Sequence, residues 1–135
     1  MAPGAAVAAP PSIDEGQAVE RILRATLYSW RGLVAAAKSE QAFREELVAL
    51  AIAVPLAFII TGSAWKRLAL IGVVLLLMAV ELLNTAIEKL SDHVTPALHP
   101  DIGRIKDMSS AAVGVALAIA GFTWLLAVAE WLGLV

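Results

Sequence analysis

The amino-acid sequence predicts an all-α integral membrane protein, in which one amphipathic interfacial helix precedes three transmembrane helices. The first observation is composition: 60% of the residues are hydrophobic and 16% are charged, whereas soluble domains average about 45–50% and about 25%. The second observation is a series of long apolar stretches. The third is an amphipathic segment that comes before them. The 135 residues are enough for one domain.

Charge and cysteine content exclude several classes of function. The net charge of −2 gives no reason to expect a nucleic-acid partner. Cysteine is absent from the sequence, which excludes disulfides, thiolate metal sites and a cysteine nucleophile.

The N-terminal residues 1–12 are rich in Ala, Pro and Gly and carry no side-chain charge. They lack the basic and apolar regions of a signal peptide, and we expect a disordered tail. Residues 13–135 then form one membrane domain.

Residues 13–45 are predicted to form the surface helix. Ser12-Ile13-Asp14-Glu15 has the spacing of a capping box. Apolar residues then recur with helical periodicity, at Val19, Ile22, Leu23, Leu27, Trp30, Leu33, Val34 and Ala37. Basic residues are interleaved with this apolar face, so we favour a helix in the membrane interface over a soluble helix packed on a partner.

Three segments are predicted to span the membrane, at residues 47–65, 68–90 and 108–128. Crossing a bilayer needs ~20 largely apolar residues. Pro55 falls in the first segment, where membrane helices tolerate it, and we expect a bend rather than a stop. Residues 91–107 are interpreted as a polar connection interrupted by helix breakers.

Basic residues predict the orientation, because they favour the cytoplasmic side. Eight of the ten precede the first span or lie between the second and third; these are Arg21, Arg24, Arg31, Lys38, Arg44, Lys89, Arg104 and Lys106. Only Lys66 and Arg67 lie between the first two spans. The N-terminus should therefore be cytoplasmic and the C-terminus outside.

An acidic stripe runs along the second predicted span. Glu81, Asn84, Glu88 and Asp92 are three, four and four positions apart, which places them on one helix face. A carboxylate inside a membrane costs at least ~2.5 kcal/mol and should face protein or water. Glu81 suits a general base toward an alcohol, Glu88 suits a Mg²⁺ ligand, and Asn84 can hold either by hydrogen bonds.

A second candidate cluster begins at Gly103 and includes Lys106 and Asp107. We interpret it as a loop that leads into a helix N-terminus, where anions are favoured. Lys106 is a natural phosphate ligand, and Asp107 is expected either to cap the helix or to contact a nucleotide. The alternative is that these are positive-inside charges with a capping Asp. No P-loop or kinase-type glycine motif is present in the sequence.

Two glutamates before the first span are interpreted differently. Glu46 is expected at a solvated helix end, whereas Glu40 gains interest only if the surface helix folds back over the second connection. His93 and His99 lack the partners of a histidine metal site.

Two motifs resemble one known family. Glu81-Leu-Leu-Asn84-Thr-Ala-Ile-Glu88 followed by Asp92, and Gly103-Arg-Ile-Lys106-Asp107-Met-Ser-Ser110-Ala-Ala, are similar to the bacterial integral-membrane diacylglycerol kinases. Similarity extends to Tyr28-Ser-Trp30-Arg-Gly32-Leu and Glu40-Gln-Ala-Phe43-Arg44. It covers about residues 19–126.

The resemblance implies a homotrimer in the bacterial cytoplasmic (inner) membrane. Active sites between subunits would transfer the γ-phosphate of ATP, with Mg²⁺, to diacylglycerol and form phosphatidic acid. It implies Glu81 as the base, supported by Asn84, and Glu40 and Glu88 as metal ligands. Nucleotide contacts would come from Arg21, Tyr28, Glu40, Glu88, His99, Lys106 and Asp107. The lipid would meet Arg21, Ser29, Trp30, Phe43, Glu81 and Ser110.

Other functions remain open at this point. An undecaprenol kinase of the same family shares the acidic motif. A small proton-coupled transporter would also place a glutamate in a membrane helix, although it has no need for Lys106 and Asp107. An assembly subunit would tolerate loss of Glu81 and Glu88.

Overall fold

The computed structural model describes residues 15–95 and 99–135, and every secondary-structure element in them is an α-helix. The four helices are α1 (Glu15–Ser39), α2 (Gln41–Ile60), α3 (Ala64–Val94) and α4 (Pro100–Trp131). The predicted all-α class is therefore confirmed. The expected tail and the Ser12 cap lie outside the described residues. The chain divides into two compact units, and the second unit begins at Ala36.

Helix α1 carries the predicted amphipathic pattern, and its large apolar side chains are exposed, including Ile22, Leu23 and Trp30. It ends at Ser39, earlier than the predicted end near residue 45. Glu40 has an extended backbone (φ −104°, ψ 122°) and α2 begins directly after it. The Arg44 guanidinium donates to the carbonyls of Ala37 and Lys38, at 3.4 and 3.3 Å, which partly satisfies the last turn of α1.

Helix α2 continues through Pro55, so the proline does not stop the helix, as predicted. The helix ends at Ile60, five positions before the predicted limit at residue 65. Thr61 and Ser63 have extended backbones, and α3 begins at Ala64. Its uncharged part, Leu47–Ile60, is shorter than the ~20 residues of a full span.

Helices α3 and α4, of 31 and 32 residues, are long and apolar enough to cross a membrane. In the most apolar 18-residue stretch of each helix, only 17% and 11% of the residues are buried within the chain. The core helix of a soluble protein would be mostly covered. Apolar surface of this extent needs lipid or further helices around it. The chain is accordingly a membrane protein.

The polar connection predicted at residues 91–107 is much shorter in the structure. Helix α3 continues to Val94 and α4 begins at Pro100. Proline is well suited to the first turn of a helix, where its missing N–H would lack a partner anyway. Gly103 therefore lies inside α4, and the prediction of a glycine-containing loop was wrong.

Helices α3 and α4 pack against each other as an antiparallel pair. Four polar contacts between side chains or from side chain to backbone join them along their length: Lys66–Glu130, Trp124 to the Leu70 carbonyl, Ser109–Asn84 and Lys106–Asp92. Small buried residues of α4, Ala116 and Ala120, allow close approach. This pairing fixes which face of α3 meets the first turns of α4.

Candidate active site

The acidic stripe of α3 lies on a partly covered helix face. Asn84 is buried, Glu81 and Glu88 are half-buried, and Asp92 is exposed. The negative charges of Glu88 and Glu40 both act on Glu81, so these three carboxylates share one region. Within the chain, exposure increases from Asn84 through Glu88 to Asp92, and the predicted order from the membrane interior to the cytoplasmic interface stays a prediction.

Asn84 is held by Ser109, a residue that the sequence analysis did not select. The Ser109 hydroxyl donates to Asn84 Oδ1 at 2.6 Å, and the two residues are 8% and 9% exposed. With its oxygen engaged, the amide directs its N–H₂ donors elsewhere. Ser110, the neighbour that was predicted to meet the lipid, is exposed.

Lys106 lies against the outer end of the acidic stripe. Its Nζ donates to Asp92 Oδ1 at 2.9 Å, so α4 brings a cation to the α3 carboxylates. Asp107 is exposed in the interior of α4, and the expectation that it caps the helix was wrong. The cap is His99, whose Nδ1 accepts from the Asp101 backbone N–H at 3.2 Å.

Glu40 lies at the junction of α1 and α2 and contacts α3. Lys89 Nζ is 2.6 Å from Glu40 Oε1 and donates to Ser39 Oγ at 3.2 Å, while Ser39 Oγ donates to the same Glu40 oxygen at 2.5 Å. Hydrogen bonding from Lys89, and then from Ser39, holds the pKa of the Glu40 carboxyl below its usual range. Glu40 is therefore an anion, and its carboxylate contacts Lys89, the residue that follows Glu88.

The structure corrects the predicted role of Phe43. Its ring is 2% exposed and packs with Ala36 and Met78, one turn before Glu81. Such burial makes it a packing residue between α2 and α3, and it is not open to a lipid.

Glu46 was expected at a solvated helix end, and the structure does not place it there. Its Oε2 atom is buried and has no hydrogen-bond partner among the described residues. The charge of Glu81 acts on it. Unpaired buried carboxylate oxygens are costly, which marks Glu46 as a further member of the acidic region.

A divalent metal would need more than this chain's side chains. No group of three or more acidic, His or Cys side chains in residues 15–95 and 99–135 is arranged to hold an ion. Mg²⁺, however, is usually bound by one or two carboxylates together with substrate phosphates. Glu40 and Glu88 fit that donor set.

The remaining predicted residues lie on α1, in the first unit. Arg21 and Tyr28 border one shallow concavity along that helix. Trp30 is exposed, and the Ser29 hydroxyl donates to the Ala25 carbonyl at 3.0 Å. These residues belong to the first compact unit, whereas the acidic region belongs to the second.

Comparison with known proteins decides what this arrangement belongs to. Residues 27–128 match the prokaryotic diacylglycerol kinase family. The chain belongs to this family. The match includes Glu40, both motifs of α3 and α4, and Ser110, whereas Arg21 lies before its first residue.

The curated relatives of this chain are named diacylglycerol kinase, as the family is. A diacylglycerol kinase of Escherichia coli K12 is 47% identical over 104 residues, which cover 77% of this chain and 85% of the relative. One from Pseudomonas aeruginosa is 44% identical over 115 residues, covering 84% and 94%. A third, from Haemophilus influenzae, is 41% identical over 103 residues, covering 76% and 87%. The resemblance predicted from the motifs is confirmed.

Proposed function

We infer that the chain is a diacylglycerol kinase, which transfers the γ-phosphoryl group of ATP to the free hydroxyl of diacylglycerol and releases phosphatidic acid and ADP. Family membership, with relatives that bear this name, supports the activity. The observation that carries the mechanism is the placement of Glu81, Glu88 and Glu40 in one acidic region at the α3–α4 pair that also bears Lys106.

Glu81 acts as the general base. It accepts the proton of the lipid hydroxyl as the hydroxyl oxygen bonds to the γ-phosphorus and the bond to the ADP oxygen breaks. Asn84, fixed by Ser109, supports Glu81. The half-buried position of Glu81 suits a lipid acceptor, which is partly apolar. A base within hydrogen-bond reach of the reacting hydroxyl contributes ~10²–10⁴-fold to the rate of such a step.

Phosphoryl transfer mainly requires positioning and charge neutralisation. Glu40 and Glu88 would hold Mg²⁺, which neutralises phosphate charge when bound. Lys106 and Asp107 of α4, and His99, which caps that helix, are the proposed nucleotide contacts, together with Arg21 and Tyr28. Ser29, Trp30 and Ser110 contact the lipid, consistent with their exposure.

We propose a third span in α2 and a homotrimer with sites between subunits at the cytoplasmic membrane surface. Helix α2 packs at its start on Met78 and ends at Ile60 and Thr61 beside Lys66 and Glu130. It therefore follows α3 from the level of the acidic region to the opposite end of the pair. The basic residues favour the cytoplasm for the N-terminus and for Lys106, with the C-terminus outside.

The test is a phosphoryl-transfer assay with purified protein in detergent micelles. ATP labelled at the γ-phosphate, Mg²⁺ and either diacylglycerol or undecaprenol would be supplied, and we expect label in phosphatidic acid. Glu81→Gln should abolish turnover with the helical fold and oligomer intact, whereas Glu130→Gln, the same change at the far end of the pair, should leave turnover near wild type. Full activity of Glu81→Gln would remove the assigned base. If only undecaprenol became labelled, the acceptor would be undecaprenol and not diacylglycerol.

A further inference from the structure

Lys89 connects two residues to which the proposed function gives a shared task. It directly follows Glu88 on α3, and its ammonium lies 2.6 Å from Glu40 Oε1. The same ammonium donates to Ser39 at 3.2 Å. A positive charge thus already contacts one of the two carboxylates assigned to the metal.

The contact occupies one of the two oxygens that Glu40 can offer to a metal. Glu40 Oε1 accepts from both Lys89 and Ser39, so its lone pairs are engaged. Mg²⁺ binds carboxylate oxygens at ~2.0–2.1 Å and tolerates little distortion of its octahedron. An ammonium at hydrogen-bond distance and a metal ion therefore exclude each other at this oxygen.

We propose that Lys89 is an internal counter-ion that competes with the divalent metal for Glu40 and thereby weakens metal binding. This inference rests on the proposed function, because it takes Glu40 and Glu88 as the metal ligands. Lys89 is a positioning residue here. It holds Glu40 in place in the metal-free protein and is displaced when the metal binds.

The other lysine of the site provides a contrast. Lys106 is paired with Asp92, which is not an assigned metal ligand, so its pairing blocks no metal position. The Lys89 ammonium, by comparison, would have to leave Glu40 each time the metal arrives. The Lys89 side chain is 61% exposed and that of Glu40 is 24% exposed. Solvent screening keeps such an ion pair weak, so the competition is modest and reversible.

The experiment measures Mn²⁺ affinity by electron paramagnetic resonance of free Mn²⁺ during titration of the purified protein in micelles. A fixed amount of a non-hydrolysable ATP analogue supplies the phosphate ligands, and the same analogue without protein is the blank. Lys89→Met should tighten Mn²⁺ binding about two- to fivefold, as expected for loss of a partly exposed ion pair. Lys89→Arg, which keeps the cation, should remain near wild type. Lys38→Met is the matched control, because it removes an exposed lysine two positions from Glu40.

A Lys89→Met affinity that is unchanged or weaker would overturn the proposal, as would equal tightening by Lys38→Met. Glu40→Gln separates this failure from failure of the proposed function. If Glu40→Gln weakens Mn²⁺ binding and Lys89→Met does not tighten it, only the role of Lys89 is wrong. If Glu40→Gln changes nothing, the metal assignment is wrong and the inference falls with it.

Discussion

Replacing Ser109 by alanine tests the hydrogen bond that fixes Asn84 inside the helix pair. The bond measures 2.6 Å, and both residues are less than 10% exposed, so bulk water has little access to the position of the lost hydroxyl. In a soluble core, leaving such an acceptor without a donor costs about 1–3 kcal/mol. Between membrane helices, measured couplings average ~0.6 and reach ~1.7 kcal/mol.

The membrane values apply here, because Asn84 and Ser109 lie on the two long apolar helices. We therefore expect Ser109→Ala to destabilise the protein by ~0.6–1.7 kcal/mol, or about three- to eighteenfold in the unfolding equilibrium. The measurement is reversible unfolding in mixed micelles, followed by circular dichroism. A double-mutant cycle with Asn84→Ala isolates the pair from other effects of each substitution.

The control is Ser110→Ala, because Ser110 is the exposed neighbour. It should leave stability unchanged and weaken use of the lipid, whereas Ser109→Ala should lower both stability and turnover. A coupling energy near zero between Ser109 and Asn84 would refute the reasoning, as would equal destabilisation by the two serine variants.

Two further predictions concern charged side chains. Glu46→Gln should raise thermal stability relative to Glu45→Gln in the same unfolding assay. It removes a buried charge and the repulsion from Glu81, whereas Glu45 is exposed. A lower stability for the Glu46 variant would contradict this. Lys66→Met should lower the free energy of unfolding by only ~0.2–1 kcal/mol, because both side chains of its ion pair with Glu130 are half exposed. In high salt this loss of stability should shrink. A loss above ~2 kcal/mol would show that the pair is not screened as a surface pair is.

The sequence allowed the helix content and the acidic stripe to be predicted for a simple reason. Helical periodicity alone places Glu81, Asn84 and Glu88 on one face, whatever the rest of the fold does. Hydropathy identified α3 and α4 because apolar runs of that length have few other uses. Local rules were therefore sufficient where the property itself is local.

Contacts between distant segments could not be predicted in this way. The pairing of Ser109 with Asn84 depends on the rotation of α4 about its axis, and the pairing of Lys89 with Glu40 depends on how the α1–α2 junction meets α3. Pro100 was misinterpreted because proline both interrupts and begins helices. In the structure, Pro100 begins α4 and His99 caps that helix.

The continuation of α3 to Val94 and the start of α4 at Pro100 have a consequence for turnover. Both partners of the Asp92–Lys106 pair stand on rigid rods, whose spacing is set by helix packing along the whole α3–α4 seam. In the proposed function, a nucleotide that binds here meets two charges whose spacing is already fixed by the packed helices, so ordering these two side chains costs little entropy. Between Glu15 and Val94 the helical backbone is interrupted at Glu40 and at residues 61–63. Of these interruptions, the one at Glu40 lies beside the acidic region, where Lys89 Nζ is 2.6 Å from Glu40 Oε1.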